Sequence, residues 1–269
     1  MRYNITSAFI QIRREYEFMV KDSGKWIIRI IKKPFDDYFV ALNSCLARVE
    51  LKNIIAIVTT LLISWWVYVP IHELLHAFGC IAGGGQVSRL EIAPVYGAGL
   101  LEKVFPFVTS GSKYAGRLSG FDTKGSDLVY LLTDFFPYLL TIVIGIPLLK
   151  SVSNRNASPF IKSIVFGFSI PFAYAPFISI TGDYYEMGSI IVSGYAAKLL
   201  PGAAPERWRS DDVFNLIERL FFSGAENHVR DILVVAMSFL LGIILIYATY
   251  WAGTLCSAFI PGKYKPKER

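Results

Sequence analysis

Ile54-Ile55-Ala56-Ile57-Val58-Thr59-Thr60-Leu61-Leu62-Ile63-Ser64-Trp65-Trp66-Val67-Tyr68-Val69-Pro70-Ile71-His72-Glu73-Leu74-Leu75-His76 carries no formal charge before Glu73. An apolar run of about 20 residues, rising ~1.5 Å each, crosses a hydrocarbon layer of about 30 Å. The stretch predicts a membrane-spanning helix over 54–82, stopped by Gly83-Gly84-Gly85. Three further stretches are long and apolar enough to span, at 128–149, 160–180 and 232–260. The first and last approach about thirty residues, which implies tilt or helix continuing beyond the hydrocarbon. An apolar fraction of 54% and a mean hydropathy of +0.45 exceed what a water-soluble domain shows. The expected fold is an all-α polytopic membrane protein. It has about four transmembrane helices, one of them interrupted, and a small membrane-associated β-hairpin after the first.

The flanking segments follow from local pattern. Lys25-Trp26-Ile27-Ile28-Arg29-Ile30-Ile31-Lys32-Lys33 alternates apolar pairs with bases, as a helix lying in the membrane interface does, and Pro34 is expected to end it. A short amphipathic strand pair is the alternative, since Ile also favours strands. Gln86-Val87-Ser88-Arg89-Leu90-Glu91-Ile92 alternates with period two, and residues 100–105 can return as its hairpin partner. Residues 109–126, rich in Gly, Ser and Lys, read as a surface loop. The third apolar stretch ends in Pro176 and then Thr181-Gly182-Asp183, an interrupted helix that resumes over 184–197. Such a break is tolerated at membrane depth only inside protein or beside a wet cavity. In the polar connection, Ser210 offers an N-cap, and Val213, Leu216, Leu220 and Phe221 form one apolar face.

Charge and cysteine content exclude some classes. The net charge of +6 concentrates near the ends of the apolar stretches, which fits anionic lipid better than nucleic acid. Cys45, Cys80 and Cys256 lack metal-ligand spacing, and their odd number argues against a complete disulfide framework. The first fifty residues hold charges throughout, so no cleavable signal peptide is read there.

The chemistry sits in His72-Glu73-Leu74-Leu75-His76. Two of the chain's three histidines lie here, four residues apart, so on a helix both imidazoles point to one side. They can bind one Zn²⁺, while Glu73 serves as the general base of a metallohydrolase. Ionisable groups at membrane depth are costly and mark function. The plainer reading, two histidines bonding backbone or headgroups, leaves Glu73 without a reason.

The chain resembles the site-2-type intramembrane zinc metalloproteases. The resemblance rests on His72-Glu73-Leu74-Leu75-His76-Ala77 in an apolar helix, the glycine stop and hairpin after it, and Pro176 with Thr181-Gly182-Asp183. It covers roughly residues 54–193. Glycine precedes Asp183 here, where the family places it after the aspartate, and Phe172-Ala173-Tyr174-Ala175 stands where the family has an asparagine. The resemblance implies Zn²⁺ held by His72, His76 and Asp183, with Glu73 catalytic; Glu186 and Asp134 are alternatives for the third ligand, and an N-cap is the alternative role for Asp183. Ser179, Thr181 or Tyr185 could stabilise an oxyanion. The implied substrate is a membrane-protein or membrane-anchored peptide segment, held extended on a sheet edge.

Organisation along the chain is then a basic interfacial segment (1–52), a metalloprotease membrane core (53–193), a polar connection with an amphipathic helix (194–230), and a last span with a basic tail (231–269). Ten Lys/Arg in the first 52 residues and four after Ile260 place both termini on the cytoplasmic side, of a plasma (inner) membrane. The motif then lies about 27 Å along the first span, toward the outer face.

Overall fold

The computed structural model describes residues 26–154, 156–199, 204–222 and 228–259. The parts of the N-terminal segment before residue 26, and the basic tail, lie outside them. Four helices are long and apolar enough to cross a membrane: Leu51–Ala82, Asp127–Ser153, Pro159–Thr181 and Val229–Phe259. They coincide with the four stretches expected from hydropathy. Leu51–Ala82, here α2, exposes Ile54, Ile55, Val58, Leu62, Ile63, Trp65 and Trp66. An apolar surface of that extent suits lipid rather than water.

By compactness the chain forms two units: Met1–Trp65, Leu140–Tyr174 and Tyr247–Arg269 make one; Trp66–Leu139 and Ala175–Ile246 make the other. In the first unit, α1 (Trp26–Cys45) continues through Pro34 rather than ending there. Proline removes one helical N–H, but tertiary partners outweigh that loss. Tyr174 Oη donates to the Pro34 carbonyl at 2.7 Å, and Asp37 accepts from Lys33 at 2.6 Å and Tyr250 at 2.9 Å. The segment is helical, so the strand-pair alternative falls, and its Ala41 and Cys45 are buried.

The second span is wound unevenly. It runs as α4 (Asp127–Phe135), a 3-10 turn at Phe136–Tyr138, a π turn at Thr141–Gly145 and α5 (Ile146–Asn154). The third, α6 (Pro159–Ile178), passes through a 3-10 turn at Ser179–Thr181, and α7 (Asp183–Leu199) starts after Gly182. The interruption thus falls where the sequence places it. Pro176 has no N–H for the Phe172 carbonyl four residues back, and Thr141 Oγ1 donates to that carbonyl instead, at 2.7 Å.

The second unit carries a three-stranded sheet of order β2-β1-β3: β1 (Gln86–Ile92), β2 (Val108–Ser110) and β3 (Gly116–Asp122). β1 pairs parallel to β2 and antiparallel to β3, with Ile92 opposite Gly116. The expected hairpin is therefore incomplete. Residues 98–101 form a helical turn, α3 (Ala98–Leu101), entered through Gly97 at φ 78°, and the antiparallel partner lies instead in the stretch read as a loop. Gly116-Arg117-Leu118-Ser119-Gly120 has little strand propensity; it is a strand because β1 offers it a ladder. Leu90, Ile92 and Val108 of the sheet bury against Leu74 and Ala77 of α2, so the sheet is packed on the turn bearing the HExxH motif.

Past the glycine stop, where Gly84 takes φ +92°, the chain leaves α2 without strain. The amphipathic helix α8 (Val213–Phe221) buries Val213, Leu216 and Leu220 as expected. Its N-cap is Asp212, which accepts from the Phe214 and Asn215 amides, rather than Ser210. Ser210 instead closes a local turn with the Asp212 backbone. The last helix is α9 (His228–Phe259).

Candidate metal centre

Helical spacing places His72 and His76 one turn apart on α2, with their Nε2 atoms 3.1 Å from each other. The break after Thr181 brings Asp183, first residue of α7, to the same point. Its Oδ2 lies 3.5 Å from His72 Nε2 and 3.5 Å from His76 Nε2. Among the described residues this is the one group of three or more His, Cys, Asp and Glu side chains placed so that it could hold a metal ion. Glu186 is committed elsewhere: its Oε1 accepts from Tyr130 Oη at 2.5 Å. Asp134 is 4% exposed, and its Oδ2 has no hydrogen-bond partner among the described residues. Neither belongs to the triad of donors.

Hydrogen bonding behind the imidazoles orients both rings. His76 Nδ1 lies 2.9 Å from the Thr133 carbonyl oxygen. A carbonyl only accepts, so Nδ1 carries the proton, and in the neutral ring Nε2 presents a lone pair. That lone pair faces a second imidazole nitrogen and a carboxylate oxygen. Such an arrangement calls for a proton or a cation between the groups. His72 Nδ1 meets Tyr68 Oη at 2.6 Å, one turn earlier on α2, which leaves its Nε2 for the same centre.

The Thr133 carbonyl is available for a reason written in the chain. Within a helix it would accept from the amide of residue 137, but that residue is proline. Close approach of the two helices does the rest. Gly79 packs on α4 so tightly that a Cβ there would collide with the Leu132 carbonyl oxygen and lie 2.7 Å from Phe136 Cβ.

The donor set is close to the geometry that a small tetrahedral cation requires. Bonds of about 2.0–2.2 Å in a tetrahedron require donor–donor edges of roughly 3.3–3.6 Å; the two edges to Asp183, 3.5 Å each, fall in that range, and the edge between the imidazoles, 3.1 Å, is slightly shorter. Two imidazoles and one carboxylate suit a borderline first-row metal rather than Ca²⁺, which takes six or more oxygens. Three protein donors leave a fourth position open.

Glu73 follows His72 on α2, and among the described residues its carboxylate makes no hydrogen bond or ion pair. It rests against Gly116 at the start of β3, where a Cβ would collide with Glu73 Cγ and Cδ and lie 2.8 Å from Oε2. Of the three hydroxyls considered for an oxyanion, Tyr185 is engaged: its Oη donates to the Trp208 carbonyl at 3.0 Å, buried.

Two residues of the centre escape a reading of motifs. Tyr68 could be found from its i, i+4 spacing to His72. Tyr138, whose Oη donates to Asp183 Oδ2 at 2.6 Å, comes from 45 residues away in sequence, and only the neighbouring Pro137 hints at it. The chain matches no protein-family model, no curated protein and no solved structure.

Proposed function

We propose that the protein is an intramembrane zinc metalloprotease, which hydrolyses peptide bonds in or near transmembrane segments of membrane-protein substrates. The observation that carries this reading is the convergence of His72 Nε2, His76 Nε2 and Asp183 Oδ2 within 3.5 Å of one another, with the Glu73 carboxylate, unbonded among the described residues, on the adjoining position of the same helix. His72, His76 and Asp183 would hold the ion. Bound there, Zn²⁺ supplies a Lewis acid and an acidified water. Glu73 accepts the proton of the attacking water and delivers it to the leaving amine. The Thr133 carbonyl holds His76 in the tautomer that the ligand role requires, and Tyr68 orients the His72 ring.

A helical substrate hides its carbonyls and must unwind before cleavage. The outer edge of β3, unpaired among the described residues, offers an extended peptide a place for strand addition, and its first residue, Gly116, touches Glu73. The charge distribution supports cytoplasmic termini and a centre opening toward the outer face of a plasma (inner) membrane. A non-hydrolytic metal-binding protein, either a transporter or an inactive substrate-holding relative, would share the three ligands but has no use for Glu73.

The test compares cells carrying wild type with cells carrying Glu73→Gln. Membrane proteins whose size changes only with wild type are the substrates. Zinc content of the purified chains should be equal in these two and lost in His76→Ala. Full zinc in His76→Ala, or no size difference in any membrane protein, counts against the proposal.

A further inference from the structure

We infer that Tyr138 is the positioning residue that selects which oxygen of Asp183 faces the two imidazoles, and so sets the affinity of the centre for its metal; this rests on the metal-binding reading above. An aspartate carboxylate turns about χ2 in a broad, roughly two-fold well, so side-chain geometry alone does not choose between its oxygens. Tyr138 makes the choice. Its Oη donates at 2.6 Å to Oδ2, the same oxygen that stands 3.5 Å from both Nε2 atoms. A hydrogen bond to an ionised acceptor is among the stronger kinds, and Tyr138 is fully buried, so no bulk water competes for the carboxylate from that side.

The phenol is itself fixed. Its ring packs against His72 edge-on, with centroids 5.6 Å apart, and against Tyr184 at 4.5 Å. Tyr184 directly follows Asp183, so the residue whose hydroxyl bonds the carboxylate also packs its ring on the side chain next in sequence. Pro137 keeps the chain out of regular α-helix at Phe136–Tyr138, and this turn carries Tyr138. Tyr138 thus touches two of the three ligands without being one. Its hydroxyl is spent on Asp183, which separates its role from oxyanion stabilisation.

The test uses the purified full-length chain and two metals, Zn²⁺ and Co²⁺. Tyr138→Phe keeps the ring contacts with His72 and Tyr184 and removes only the donor. Zinc affinity, measured by competition with a chromophoric chelator, should fall about 10–100-fold, the usual effect of losing an outer partner of a ligand. The visible ligand-field band of the Co²⁺ form should shift, which a change in general stability would not cause. In an Asp183→Ala background, Tyr138→Phe should cost nothing further, because the hydroxyl acts through Asp183 and the ring contact with His72 is kept. Equal zinc affinity in wild type and Tyr138→Phe, or the same loss with and without Asp183, overturns the assignment. Wild type that takes up neither metal overturns the metal reading itself and this inference with it.

Discussion

On the proposed mechanism, replacing Gly116 by alanine should disable Glu73 as the base while leaving metal binding intact. Gly116 opens β3, and a methyl group on it would collide with Glu73 Cγ and Cδ and sit 2.8 Å from Oε2. Non-bonded carbon atoms rest at about 3.5–4.0 Å, so something must move by roughly 1 Å. The β3 backbone is paired to Ile92, a buried residue of β1, whereas the Glu73 carboxylate is the tip of a rotatable side chain. The carboxylate is what gives way. A misplacement of about 1 Å at a reacting group costs on the order of 10²-fold in rate. The assay is the rate of cleavage of an identified substrate by purified Gly116→Ala, at zinc content matched to wild type. Gly99→Ala is the control, since a Cβ at Gly99 meets nothing within 4 Å. A Gly116→Ala variant that cleaves at the wild-type rate would refute the proposed placement of Glu73 as base against β3. Loss of zinc in that variant would refute the separation of base from metal ligands.

Two further outcomes bear on the surroundings of the centre. Pro137→Ala restores an amide that competes with His76 for the Thr133 carbonyl, so zinc affinity measured by chelator competition should drop about tenfold, at the lower end of outer-partner effects, while the helix itself gains stability. Lys113→Cys, at an exposed position between β2 and β3, in a chain lacking Cys45, Cys80 and Cys256, should be labelled by a membrane-impermeant thiol reagent in intact cells. Protection of that cysteine would reverse the proposed orientation.

The parts of this molecule that sequence discloses are those held by local periodicity. His72 and His76 are one helical turn apart, so their juxtaposition needs no knowledge of the fold. The four apolar helices are equally legible, because length and hydropathy set them. Asp183 was reachable through the glycine break, although only tertiary structure brings its Oδ2 to both imidazoles. What local pattern misjudged was decided by partners distant in sequence. Helix α1 outlasts Pro34 because Tyr174 and Tyr250 hold its next turn. β3 exists because β1 pairs with it, despite two glycines in five residues. Asp212 and Ser210 are both good caps, and composition alone does not rank them. Tyr138 and the Thr133 carbonyl carry no motif; each reaches the centre because Pro137 disturbs the helix between them.

The central claim is tested most directly by one rate comparison. Purified wild type and Glu73→Gln, loaded to equal zinc content, are given the membrane substrate found in cells. Glutamine preserves the size of the side chain and leaves His72, His76 and Asp183 untouched, but it cannot accept the water's proton. The account predicts cleavage slowed by about 10²–10⁴-fold with zinc retained. Cleavage by Glu73→Gln at the wild-type rate would contradict it.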